Sequence, residues 1–505
     1  MQERSATAAT VNEPSTLRIP RCMSTQHPDN VAMPFFAQSA LLTAEDEVRE
    51  AYYAFSHLGC DEQMWDFEGK EVDGHVVEKL LSTYESYFAE HPIGESVRLT
   101  PRIPNPALEP TQAKLVLEVL QSLPRHADIA RVFYDRERPP IFELIHPMTT
   151  SARELDRVRG YYERFVAGME DVTLDSDERP LGAWFGRFSP STIRMIPLIE
   201  DREHLLAADE LVRDYVRDKD LDYVRVFIAR SDPALNYGYP SAVLLALVAL
   251  DRLDALERET GVAIYPVIGV GSVPFRGGLA PRTVDRYIAT YPSVQTATIQ
   301  SAFKYDHAPE AVREGIAKLR EHPRGAPLRL AEDGRTFDLL ERLVTRYQAE
   351  VQELAPLVNA VARAVPRRRL RKLHVGLFGY NRASAGVTLP RAIPFCASLY
   401  SLGLPPELIG LAALTDADWT WLRATIPAVE DELTDALRYL DADRRAWLPH
   451  LVRESVSRAL ALVGLPESDA DHKAIASEVR RIADSGGAQM TELIVRAAAL
   501  RRFLG

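Results

Sequence analysis

Cysteine is almost absent from this chain. Cys22, Cys60 and Cys396 are the only three in 505 residues, and they are widely spaced with no CxxC. Neither a disulfide framework nor a zinc knuckle is therefore expected, and a reducing cytoplasm suits the chain. Long apolar runs are missing as well. The longest, residues 242–250 (AVLLALVAL), falls far short of the ~18 to 20 residues that span a bilayer, and it predicts a buried helix. Positive charge is not in excess: a net charge of −12 argues against nucleic acid or an anionic membrane as main partner. An anionic substrate would need a locally positive pocket. No HExxH, GxSxG or Walker lysine occurs, which sets aside zinc peptidases, α/β-hydrolases and P-loop enzymes. Beyond Thr16 there is no low-complexity linker and no internal repeat of roughly 20 to 50 residues. One large catalytic domain over residues 17–505 is expected behind a disordered polar tail, residues 1–16, that lacks the apolar stretch of a signal peptide.

What is present is an alternation. With 46% hydrophobic and 26% charged residues, the chain can bury a large core. Short β-branched or aromatic-rich segments at 17–23, 60–67, 97–103, 141–146, 192–199, 223–229, 262–268, 294–301 and 373–380 read as strands, each followed by a helical pattern. In 151–167, Leu155, Val158, Tyr161, Tyr162, Phe165 and Val166 recur at the helical period. About eight strand–helix units in one chain predict an elaborated (β/α)8 TIM-type barrel rather than an open doubly wound sheet, with chemistry at the strand carboxyl ends. From about 390 to 505 only helical periodicity remains, so a helical C-terminal layer is expected around the barrel.

The strand exits carry charge of both signs. Arg102, Thr149 and Thr150, Glu200 and Asp201, Ser231 and Asp232, Arg276, Lys304 and Arg382 each follow a predicted strand. Singly, such residues read equally as solvated strand ends or helix caps. Jointly, Glu200 and Asp232 could hold Mg²⁺ or Mn²⁺ through oxygen ligands, with arginines clamping a carboxylate or phosphate. The loop GVGSVPFRGG, 269–278, sits between an apolar run and Pro281, which looks like a helix start. Its glycines would let backbone N–H groups approach an anion, the helix start would add partial positive charge, and Arg276 offers a bidentate donor. Ser272, Gly277 and Gly278 are thus candidate substrate-binding positions. A structural turn with a surface arginine is the competing reading. In STQHPDN, residues 24–30, His27 precedes a proline and could act as an acid or base, or be structural. The run PRRRLRK, 366–372, reads as a solvated basic helix end or turn rather than a nucleic-acid site.

The strings CMSTQHPDN, YYAFSHLGCDEQMWDFEGKEVD, RIPNP, SVPFRGG, FKYD and RAIPF together resemble the archaeal-type phosphoenolpyruvate carboxylases, from about Ile19 to Gly505. The resemblance implies a (β/α)8 barrel, a requirement for Mg²⁺ or Mn²⁺, a homotetramer, and conversion of phosphoenolpyruvate and bicarbonate to oxaloacetate and phosphate. Compared with the longer bacterial and plant enzymes, STQHPDN stands where they have TAHPT, which implies a catalytic role for His27. PLIED implies a metal glutamate at Glu200. IARSDPALNYG resembles GYSDSxKD and implies a metal aspartate at Asp232. PFRGG resembles half of a doubled arginine–glycine motif and implies that Arg276 meets the phosphate. Arg102, Arg382 and Arg391 resemble the remaining active-site arginines, and Gly505 a terminus near the site. The other half of the doubled motif is missing and Asn236 stands in the region of the motif's lysine, leaving Lys304 and Arg230 as candidates for the lost cations. Other readings are a bicarbonate-independent lyase on the same metal carboxylates, and a non-catalytic interaction protein using the 366–372 run.

Overall fold

A computed structural model describes residues 18–505 except 69–71, 175–178, 331–332, 371–382, 385 and 484–486. Eight parallel strands close a barrel in sequence order: β1 (Cys22–Ser24), β2 (Glu62–Asp66), β3 (Arg98–Arg102), β4 (Glu143–His146), β5 (Arg194–Ile199), β6 (Tyr223–Ala229), β7 (Ala263–Gly269) and β8 (Thr296–Ile299). Closure comes from β8 pairing with β1, Ala297 against Cys22 and Thr298 against Met23. The expected (β/α)8 barrel is therefore present, and eight of the nine expected segments overlap its strands, β1 and β7 each running one residue further. The ninth, 373–380, lies outside the described residues, and the barrel closes without it.

Side-chain alternation along the strands stacks the barrel interior in layers. Met23, Met64, Ile145, Ile196, Leu198, Phe227, Ala229 and Val267 form an apolar middle. Below it, at the amino ends of the strands, lies a buried ionic layer. Arg225 binds both oxygens of Glu62 at 2.6 and 2.7 Å and reaches Glu143 at 3.0 Å, while Glu143 also accepts from Arg98 and, at 2.8 Å, from the Tyr223 hydroxyl. Burial alone would raise the Glu143 carboxyl, but Arg225 and Arg98 outweigh it and hold it below the ordinary range. Each charge has a partner, which is what permits its burial.

Helices pack outside the strands. Tyr239–Thr260 contains the 242–250 run, and that run is buried on every side, because this helix lies between the barrel wall and the later helix Gly334–Ala362. Such all-round apolarity marks a core helix. In Ala152–Phe165 the buried stripe is narrower than expected: Leu155, Val158 and Tyr162 are inside, with Val166 just beyond, but Tyr161 is half-buried and Phe165 exposed. Those two fall off the i, i+3, i+7, i+11 line that faces the sheet. After Thr388 the described residues are helices and turns only, and their apolar faces join the core around the barrel. All three cysteines are buried thiols. Among the described residues no single helix is long and apolar enough to cross a membrane.

The ionic layer predicts a specific sensitivity. Arg225→Met should lower stability by about 3–5 kcal/mol, because Glu62 and Glu143 would keep buried charge without their shared cation; a thermal or denaturant midpoint equal to the parent's would show that the layer is not compensated in this way.

Candidate active site at the carboxyl ends of the strands

Carboxylates crowd one side of the barrel mouth. Glu200 follows β5 and is buried, and its Oε2 accepts the Met148 backbone N–H at 2.8 Å. Met148 adopts φ +48°, a left-handed conformation that is uncommon for a residue with a side chain and that sits where its N–H meets Glu200. Asp232 lies in the first turn of Ser231–Tyr237, after β6. Burial, then the charges of Asp232 and Glu68, push the Glu200 carboxyl up to about 8, against the opposing pull of Arg102. Arg102, at the end of β3, grips Asp66 with two bonds of 2.8 Å and reaches Glu68 at 3.1 Å. Among the described residues no three Asp, Glu, His or Cys side chains stand close enough to share one ion. Two carboxylates, with water and substrate oxygens completing the shell, still fit a small hard cation, and the mutual repulsion around Glu200 is what such a cation would relieve.

Across the mouth, the loop after β7 does something different from what its glycines suggest. Pro281 opens a 3-10 turn leading into Val284–Thr290, as expected. The amides, however, are engaged inside the loop. Gly271 donates to the Arg276 carbonyl, Arg276 and Gly278 to Val273, and Gly277 to Pro274, while Phe275 donates to Glu407. The expectation that Gly277 and Gly278 present N–H groups to a ligand is thus corrected. They are glycines because φ is +118° and +68°, and because a Cβ would meet Val270 at 2.4 Å or Glu432 at 2.7 Å. Arg276 is not a surface residue either, being 1% exposed. Its Nε donates to Ser231 at 3.0 Å, Nη2 to Gln300 at 2.6 Å, and Nη1 to the Gly505 carbonyl at 2.6 Å and to Asp29 at 3.4 Å. Ser231 is the sequence neighbour of Asp232, so the guanidinium is bonded to the same β6 exit that carries the carboxylate.

The third wall is the exit of β1. His27 is half-buried, with Nδ1 2.9 Å from the Thr25 hydroxyl. Gln26 bridges the Asp66 amide at 2.9 Å and Glu47 at 2.7 Å, tying this loop to the carboxylate side. Lys304 donates to Ser24, the Thr25 carbonyl and Glu50 at 2.9, 3.0 and 2.8 Å, so all three of its protons are engaged beneath the loop. Glu50 also receives Arg369 and Tyr305. Arg369 is 2% exposed, which corrects the reading of 366–372 as a solvated basic stretch: its middle closes a buried ion cluster.

Arg230, Ser272 and Arg391 were also expected at the site. Arg230 is buried at the turn between β6 and Ser231–Tyr237, its Nε donating to Tyr291 at 2.9 Å. Ser272 lines a small enclosed cavity with Gly278, Arg282, Glu432 and Phe503, apart from the Arg276 guanidinium. Arg391 caps Ala392–Ser401, the helix against which Gly505 is seated so tightly that a Cβ would meet the Ile393 carbonyl at 2.1 Å. Arg382 lies outside the described residues.

A family model described as phosphoenolpyruvate carboxylase matches residues 19–505. The chain belongs to the phosphoenolpyruvate carboxylase family. Relatives of that name include one from Methanospirillum hungatei, 48% identical over 490 residues and covering 97% of this chain and 100% of the relative. Those from Methanothermobacter thermautotrophicus and Halobacterium salinarum are each 47% identical, covering 97% and 96% of this chain and 100% and 99% of the relatives. Among solved structures, a Haloferax volcanii malate synthase complex with magnesium and glyoxylate aligns at a TM-score of 0.40 and 12% identity, covering 86% of this chain and 97% of that one.

Sequence reasoning missed Asp66, Glu68, Asp29, Gln300 and Met148. The first two stand at a strand exit in MWDFEG and follow the same rule that selected Glu200. Asp29 and Gln300 act as acceptors for one arginine, and nothing local marks either as the partner of a side chain on another strand exit. Met148 has no sequence signal, because its role is carried by the backbone.

Four carboxyls, Glu200 and Glu407 buried and Asp306 and Glu432 partly so, share a direction: Glu200 is raised to about 8 and Asp306, Glu407 and Glu432 to about 7, in each case first by desolvation. A group that holds its proton more tightly folded than unfolded makes stability fall as pH climbs from the unfolded value to the folded one. Without divalent cation, the thermal midpoint should therefore decline from about pH 4.5 to about pH 8, and Glu432→Gln should make that decline shallower. A midpoint that is flat or rises over this range in scanning fluorimetry would contradict the assignment.

Proposed function

We propose that this protein is a phosphoenolpyruvate carboxylase, converting phosphoenolpyruvate and bicarbonate to oxaloacetate and phosphate and so replenishing oxaloacetate. The observation that supports this most is the meeting, through Ser231, of a desolvated guanidinium with a carboxylate group whose mutual repulsion calls for a cation. Glu200 and Asp232 would hold Mg²⁺ or Mn²⁺, which when bound supplies Lewis-acid stabilisation of developing negative charge. Arg276 would neutralise the phosphoryl group as it passes to bicarbonate, giving carboxyphosphate and the enolate of pyruvate. Because the guanidinium is already desolvated and oriented, little reorganisation accompanies that step. His27 would handle the carboxyl proton of carboxyphosphate as this breaks down to phosphate and CO₂, which the enolate then attacks. The buried walls would keep water from protonating the enolate first. A homotetramer in the cytoplasm belongs to the same reading, supported by the family resemblance and by three buried thiols that suit a reducing compartment.

The deciding measurement is oxaloacetate formation from phosphoenolpyruvate, bicarbonate and Mg²⁺, read through malate dehydrogenase. Dependence on bicarbonate is expected; turnover of phosphoenolpyruvate without it would favour a different lyase. In His27→Asn, bicarbonate-dependent phosphate release should persist while oxaloacetate formation collapses by about 10²-fold or more. Parallel loss or parallel survival of both products would remove His27 from this role.

A further inference from the structure

Thr25 is fully buried, and each of its polar groups has a separate fixed partner. Its amide donates to the Ile299 carbonyl at 3.0 Å, its carbonyl accepts from Lys304 at 3.0 Å, and its hydroxyl lies 2.9 Å from His27 Nδ1. Among the described residues the hydroxyl makes no other hydrogen bond. A hydroxyl carries one proton, and a buried donor left unmade costs about 1–3 kcal/mol. The proton therefore goes to His27 Nδ1, which must then offer its lone pair, and the proton of the neutral imidazole resides on Nε2.

We propose that Thr25 is a positioning residue that fixes the tautomer and the orientation of His27, so that Nε2 is the atom that carries the proton in the reaction proposed above. The backbone around it is built to hold this bond. Lys304, with all three donors engaged, anchors Ser24 and the Thr25 carbonyl to Glu50, and Arg369 completes the charge balance of that cluster. The His27 carbonyl is held from the other side by the Asp29 and Ser301 amides at 3.0 and 3.3 Å. The ring is thus fixed through Thr25 while Lys304 acts one step further back, on the backbone that carries the threonine. The inference rests on the carboxylase reading for its kinetic consequence but not for the tautomer itself.

Thr25→Val keeps the shape and removes the hydroxyl; Thr25→Ser keeps the hydroxyl. In the valine variant, oxaloacetate formed per phosphate released should fall about tenfold or more, with the KM for phosphoenolpyruvate within about twofold of the parent, and the serine variant should recover most of the ratio. A valine variant with the parent ratio, a serine variant no better than valine, or a loss of both products in parallel would each overturn the proposal. Two-bond ¹H–¹⁵N spectra of histidine-labelled protein, with His27→Asn identifying the resonances, supply a readout independent of turnover. They should show His27 with Nδ1 unprotonated in the parent, and a protonated Nδ1 in the neutral ring would refute the assignment. A parent enzyme without bicarbonate-dependent product would refute the carboxylase reading alone, leaving the spectra to decide the tautomer.

Discussion

The architecture of the site follows from the desolvation of one guanidinium. An arginine taken out of water must have its charge balanced and its donors satisfied, and Arg276 is served from four separate segments: Asp29 after β1, Ser231 after β6, Gln300 after β8, and the carbonyl of Gly505. Each of these segments is positioned by its own strand or helix, and each is oriented by the demand of the same cation. The C-terminal helical layer thereby has a role beyond covering the barrel, since it delivers the last residue of the chain to a side chain at the barrel mouth.

Two charged layers lie at opposite ends of the same barrel and are balanced differently. At the amino ends of the strands, Arg225, Arg98, Glu62 and Glu143 satisfy one another, and that layer needs nothing from outside. At the carboxyl ends, Arg102 is taken up by Asp66 and Glu68, and Glu200 is left beside Asp232 with its proton held more tightly than a carboxylate normally holds it. An imbalance of this kind, in a barrel that elsewhere compensates its charges, is the feature by which perturbed groups mark a candidate functional site.

Much of this was legible in the sequence. Strand positions were visible because β-branched runs alternated with helical periods, and the strand-exit rule picked out Glu200, Asp232 and Arg276 as candidates, which lie after β5, β6 and β7. The rule misled where local chemistry had two uses. Glycines that could cradle an anion served the turn itself at Gly277 and Gly278, and arginines that looked solvated closed an ion cluster at Arg369. Arg230 shows the remaining limit: a residue beside a candidate position can be taken up by a neighbour of its own, here the Tyr291 hydroxyl. What pattern could not show was long-range partnership, because Gln300 and Asp29 carry no mark of the arginine they serve.

The helix Tyr239–Thr260 has apolar residues on all sides because two layers cover it, the barrel wall on one side and Gly334–Ala362 on the other. During synthesis those layers arrive at different times. A growing chain in which β6 and this helix have emerged, but residues beyond 330 have not, carries one apolar face with nothing to cover it. Until the later helix docks, such a chain exposes apolar surface, the condition under which incomplete domains tend to aggregate.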